Sequence, residues 1–199
     1  MMAVARPRIH QPDAVLDHAR RVVLEKGVRA ATVEAIASAS GAPMGSLYHY
    51  FGSRDELLAR LWVRAVRRSQ AAFCAAAEHE DPKRAAVAAA LSIYDFCARE
   101  QDDARLLVSM RREDLIRAEL SADLMQELKD LNRPVQQALE RLSRRLYGRA
   151  RSEDVDRVLL ATFDLPYGTA RPYVIRRKTP PGHRRKLVEA AVLAVIRDA

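Results

Sequence analysis

The chain has little cysteine. Its two thiols in 199 residues, Cys74 and Cys97, stand too far apart to form a Cys-x-x-Cys pair. Zinc-ribbon and disulfide frameworks are therefore disfavoured, a reducing compartment is the expectation, and both residues read as small core side chains. Long apolar runs are missing too: nothing approaches the ~20 residues of a membrane span. The first residues, "MMAVARPRIHQP", lack the apolar stretch of a signal peptide, so the expected location is the cytoplasm. No region alternates apolar and polar residues as a half-buried strand does. Metal-spaced His/Cys/Glu clusters, phosphate-cradling glycine loops and nucleophile motifs are absent. The sequence thus predicts no metal, no cofactor and no enzymatic activity.

What is present is apolar and charged in quantity. An apolar content of 49% supports a buried core in one compact unit or two small ones. The net charge of +8 is unevenly spread: residues 1 to 54 carry 7 Lys and Arg against 4 Asp and Glu, residues 55 to 164 carry 19 against 20, and residues 165 to 199 carry 8 against 2. Basic ends on a neutral middle suit a polyanionic partner without establishing one.

Helical periodicity runs almost throughout. In "DAVLDHARRVVLEKG", Val15, Leu16, Ala19, Val22 and Val23 recur at helical spacing, and Gly27 is expected as a left-handed stop. Thr32 offers a hydroxyl cap to a short second helix that ends at Gly41. Pro43 is pre-set for a helix start, and Leu47 and Phe51, four apart, turn the edge of a third short helix inward. Ser53 and Glu56 spell a capping box before a long fourth helix carrying Leu57, Leu58, Leu61, Trp62, Ala65, Val66 and Phe73. Further helices follow at "DPKRAAVAAALSIYDFCARE", "DDARLLVSMRRED", "ADLMQELKDLNRPVQQALERLSRRLYG" and "SEDVDRVLLATFDLPYGTARPYV". Pro134 and Pro166 are each expected to kink or split their helix. The stretch "RRKTPPGHRRK" reads as a basic turn before a last helix, "KLVEAAVLAVIRD".

Two short helices joined by a glycine turn and braced by a preceding amphipathic helix form a helix-turn-helix, whose second helix enters the DNA major groove. Thr32, Ile36, Ala37 and Gly41, then "GSLYHYF" and "SRDELL", stand in the order and spacing of the N-terminal domain of the TetR family of bacterial transcription regulators. The resemblance covers roughly residues 10 to 62. It implies an all-α fold: a three-helix DNA-binding domain over 1–54, joined by the fourth helix to a helical effector-binding and dimerisation domain over 55–199. It also implies sequence-specific DNA binding, with a repressor released from a palindromic operator by a small-molecule effector.

Thr32, Met44, Gly45, Ser46, Tyr48, His49, Tyr50 and Arg54 are the candidate DNA contacts. Gly45 leaves room for close backbone approach. Tyr48 and His49 fall on the solvent side and reach phosphates or base edges, ordinary surface being the alternative. Tyr50 lies at the border of burial. Arg54, in a helix first turn that disfavours cations, takes the place where the resembling family commonly has a phosphate-binding lysine. Thr32 serves a phosphate or only caps. Family members often have Ser where Pro43 stands and a polar or basic residue where Met44 stands, which makes base readout here partly apolar.

Beyond the reading unit the signals are weaker. Trp62, Phe73, Tyr94, Phe96, Met110 and Met125 are candidates for an effector pocket, with core packing as the alternative for each. Asp95, Arg111 and Arg112 read as solvated charges. Apolar residues occupy two sides of the last helix, so Val188, Val192 and Val195, with Leu159, Phe163 and Tyr167, are expected to form a four-helix homodimer interface. The readings from other classes are an all-helical enzyme acting on an anionic substrate and an effector-independent DNA-compacting protein.

Overall fold

A computed structural model describes residues 11–116 and 118–197. The described residues form twelve α-helices: α1 Pro12–Lys26, α2 Val33–Ser40, α3 Met44–Phe51, α4 Arg54–Ala77, α5 Pro82–Arg99, α6 Gln101–Ser109, α7 Arg112–Ile116, α8 Ala122–Asp130, α9 Arg133–Tyr147, α10 Ser152–Leu159, α11 Leu165–Ile175 and α12 His183–Val195. A 3-10 turn, Val28–Ala30, follows α1, and a π turn, Leu160–Asp164, joins α10 to α11. The all-α expectation holds.

The local signals mostly act as the residues dictate. Val15, Leu16, Ala19, Val22 and Val23 form the buried stripe of α1. Gly27 ends that helix at φ 87, ψ 161, a glycine conformation different from the left-handed helical one expected. Gly41 does take the left-handed form, φ 68 and ψ 10, between α2 and α3. The predicted helix over "DDARLLVSMRRED" breaks at Met110, whose extended backbone separates α6 from α7.

The prolines behave in two ways. Pro134 splits its segment: α8 ends at Asp130, and Pro134 sits at the second position of α9, where its missing N–H had no partner to lose. Pro166 does not interrupt the chain's helical path. The preceding turn widens instead, with the Leu165 amide donating to the Leu160 carbonyl, an i to i+5 bond that accommodates a ring for which a regular helix has no room.

Two apolar cores result. The first joins α1 to α3 and the first half of α4 with Leu106 and Met110 of the α6 region, Leu115 of α7, and Leu124, Leu128 and Leu131. The second packs Phe73 and Ala77 of α4 against Ala85, Ala86, Ala89 and Ala90 of α5, and against α9 to α12 through Leu142, Val158, Ala170 and Val192. Small alanines on α5 let its neighbours approach closely. Helix α4 contributes to both cores, so one rigid rod of 24 residues, ~36 Å at 1.5 Å per residue, connects them.

Val188 and Val192 correct the expected dimer surface. They are 3% and 0% exposed, turned into the second core, and so are closed to a second copy. The outward face of α12 is instead Leu187, Ala190 and Ala194, with Leu187 63% exposed. Leu159, Phe163, Tyr167 and Val195 are half-buried against the second core, and Phe163 stacks on Tyr167 at 5.8 Å.

Candidate nucleic-acid interface

Helix α3 is anchored by Leu47 and Phe51, 1% and 3% exposed. Its remaining surface is open: Met44, Tyr48, His49 and Tyr50 are exposed and Ser46 is half-buried. A Cβ built on Gly45 meets nothing within 4 Å, so no neighbour inside the protein requires a glycine there. At about 100° per residue, Met44, Gly45, Tyr48 and His49 share one face, whereas Tyr50 points away from Tyr48. Tyr50 opens on a groove with Pro12 and Leu16 of α1 and Arg60 and Arg64 of α4, and its ring meets His49 edge-on at 5.4 Å. The reading face is therefore narrower than the sequence grouping, with Tyr50 beside it.

The flanks of α3 are braced. Thr32 accepts from the Ala35 amide at 3.2 Å as the α2 cap. The Glu34 carboxyl lies below its usual range, first through its own backbone amide and then through a hydrogen bond with Thr32. Arg54 is turned partly inward: Nε donates to the Ala31 carbonyl at 2.9 Å, Nη2 to the Val28 carbonyl at 2.6 Å and Nη1 to Asp55 at 3.0 Å. Those bonds tie the 3-10 turn to the start of α4. A guanidinium has five N–H groups, so two remain for an outside acceptor. This clamp was not legible in the sequence, because its acceptors are backbone carbonyls 23 and 26 residues away.

The capping box is half formed. Ser53 accepts from the Glu56 amide at 3.1 Å, but the Glu56 carboxylate accepts from the Ser121 amide at 2.9 Å. The expected return bond is replaced by a tie between α4 and the start of α8.

The six candidate effector residues do not surround one cavity. Trp62 and Met110 belong to the first core, Phe73, Tyr94 and Phe96 to the second, and Met125 is half-buried on α8. Tyr94 is spent structurally, its hydroxyl donating to the Pro181 carbonyl at 2.8 Å. Phe96 alone of the six borders an open cleft of about 500 Å³ with Arg68, Ala72, Ser92, Asp95 and Arg99. Asp95 receives both Nε and Nη2 of Arg185, Arg112 donates to the Leu128 carbonyl, and Arg111 is exposed. Among the described residues, no group of His, Cys, Asp and Glu is placed to hold a metal ion, and no helix is long and apolar enough to cross a membrane.

Residues 15–61 match the model of the tetR family of bacterial regulatory proteins. This chain belongs to the TetR family. The general activity that goes with membership is DNA-binding transcription regulation. Among curated proteins no sequence matches. Solved structures share the fold across nearly the whole length. One is the TetR family transcriptional regulator PfmR from Thermus thermophilus, at 23% identity and TM-score 0.65, covering 92% of this chain and 97% of that one. Another is the fatty acid degradation regulator FadR from Bacillus halodurans, at 18% identity and TM-score 0.70, covering 92% and 98%. The ketosteroid transcriptional regulator KstR2 of Mycobacterium tuberculosis has 17% identity and TM-score 0.66, covering 98% and 96%. At these identities the likeness is one of fold.

Proposed function

We propose that this TetR-family chain is a dimeric repressor that binds a palindromic operator and is released from it by a small-molecule effector. One observation carries the DNA assignment: α3 buries Leu47 and Phe51 while presenting Met44, Gly45, Tyr48 and His49 on one unencumbered face. In a major groove that face sets a methionine thioether against thymine methyls and an imidazole and a phenol against phosphates or base edges. Thr32, Ser46 and the two spare N–H groups of Arg54 serve the flanking phosphates, and Tyr50 stands beside the face. Residues 1–54 then form the reading unit, and residues 55–199 bind the effector and dimerise.

The dimer uses the outward stripe of α12, Leu187, Ala190 and Ala194, together with exposed Leu160 and half-buried Leu159, Phe163 and Tyr167 on the preceding helical segment. A twofold axis through these helices relates two copies of α3, hence an inverted-repeat operator. The effector enters from the α4–α5 cleft beside Phe96 and displaces the end of α4 near Phe73. The rod then carries the movement to Arg54 and the reading unit. Linkage makes the coupling reciprocal, typically 1 to 3 kcal/mol, so DNA and effector each weaken the other.

Mapping where the native protein sits on its own genome is the decisive experiment. A few sharp sites with inverted repeats support the regulator, uniform coverage supports compaction, and catalytic turnover without DNA binding overturns the reading.

A further inference from the structure

The turn between α11 and α12, residues 176–182, is the most basic surface that the reading unit does not explain. Arg176, Arg177 and Lys178 leave α11 in succession, and His183, Arg184, Arg185 and Lys186 open α12. All three cations at the end of α11 are exposed, as is Lys186, and none of the four has a carboxylate partner among the described residues. Cations at a helix C-terminus complement its dipole, which accounts for some of the first group. The same dipole disfavours cations in the first turn of α12, where no acidic residue stands. Helix stability therefore does not explain the concentration of charge.

The turn is held in place despite its own repulsion. Gln101 donates to Thr179 at 2.6 Å, Tyr94 to the Pro181 carbonyl at 2.8 Å, and Pro180 is buried. Arg185 makes its two-pronged contact with Asp95 at 2.9 and 2.7 Å, and the Arg184 guanidinium lies over the Tyr173 ring at 5.2 Å. Arg177 stands at φ 56, a backbone region that a non-glycine residue adopts at a cost. These contacts use Arg184 and Arg185 as braces and leave Arg176, Arg177 and Lys178 facing solvent.

Its position gives the charge a direction. Ile175 and Arg177 share a cleft with Leu24, Glu25 and Gly27 at the end of α1 and with Ser109 of α6. From Gly27 the chain runs straight into the turn clamped by Arg54 and on to Thr32 at the start of α2. Lys26 and Arg29 along that path are exposed and likewise lack a carboxylate partner among the described residues. The basic turn thus adjoins the reading unit, whereas the α4–α5 corner lies at the other end of α4, ~36 Å away along a 24-residue helix.

We propose that the α11–α12 turn is a second DNA-contacting surface, with Arg176, Arg177 and Lys178 meeting backbone phosphates outside the groove read by α3. The proposal rests on the DNA-binding reading and extends it from the reading unit to the C-terminal half. Contacts of this kind add affinity and salt dependence but no base preference.

The test uses the full chain and the duplex it enriches from a random-sequence pool. The triple variant Arg176→Gln, Arg177→Gln, Lys178→Gln should bind the same base sequence more weakly. Its log–log salt dependence should be less steep by about 0.9 for each phosphate that a protomer no longer neutralises, or roughly 2 to 3 if all three side chains reach a phosphate. Lys83→Gln with Arg84→Gln, at the far end of α5, removes charge without touching the turn and should leave the slope close to wild type. If a thermal melt shows the triple variant unfolded, Arg176→Gln with Lys178→Gln, which spares the left-handed position, should still give a shift of about 2. An unchanged slope in the turn variants, with Tyr48→Ala losing affinity, overturns this surface and leaves the DNA reading standing. Equal shifts from turn and far-end variants also overturn it, by showing a net-charge effect. If no duplex is enriched, the DNA reading itself fails and this proposal with it.

Discussion

Arg68 of α4 donates to Asp103 of α6 at 3.0 Å, while Arg20 of α1 holds the other oxygen of the same carboxylate. Asp103 is 1% exposed, and the two arginine side chains are 44% and 20% exposed respectively. One buried charge therefore ties three helices, and its two partners differ in burial. Removing the more buried partner leaves Asp103 poorly compensated. Arg20→Met should cost about 3 kcal/mol and Arg68→Met about 1 kcal/mol, measured by urea unfolding. A larger loss for Arg68→Met would show that solvent, not Arg20, compensates the carboxylate.

Leu47 and Tyr48 are neighbours with opposite duties. Leu47 is 1% exposed and Tyr48 47%. Leu47→Ala should destabilise the protein by about 2 to 5 kcal/mol, whereas Tyr48→Ala should leave the melting curve in place and weaken operator binding in a gel shift. Wild-type affinity in the Tyr48 variant would remove Tyr48 from the reading face.

The two stripes of α12 separate in the same way. Leu187→Glu or Ala190→Glu should yield folded monomers by analytical ultracentrifugation, because these positions face outward. Val192→Glu should instead unfold the protein, since it buries a charge in the second core. Dimers persisting in both outward variants would place the twofold axis elsewhere.

Burial pushes the Cys97 thiol up to about 11 from an ordinary value of 9.0. A raised pKa means that the folded state favours the neutral thiol. The resulting stability is complete below about pH 9 and is lost as the pH climbs towards 11, by roughly 2 to 3 kcal/mol in all. Cys97→Ala removes that dependence, so its melting temperature should fall less steeply than that of the wild type across this window. Parallel curves would show that Cys97 does not remain protonated in the fold.

Local sequence determined much of this protein because helix starts, stops and stripes are encoded over a few residues. The Thr32 and Ser53 hydroxyl caps, the left-handed Gly41, the split at Pro134 and the inward Leu47–Phe51 edge of α3 each depend on groups within four positions of one another. The family's reading unit was legible for that reason. Tertiary structure decided what local pattern leaves degenerate. Leu187, Ala190 and Ala194 recur at the same helical period as Val188, Val192 and Val195, so spacing alone does not say which stripe turns inward; the small alanine face of α5 and its neighbours draw in the valines. Arg54 found carbonyls on the far side of a turn, and Glu56 left its own cap for the Ser121 amide. The large side chains of the middle region were drawn into two cores rather than one pocket. In each case the partner lies tens of residues away, and only packing brings such groups within reach.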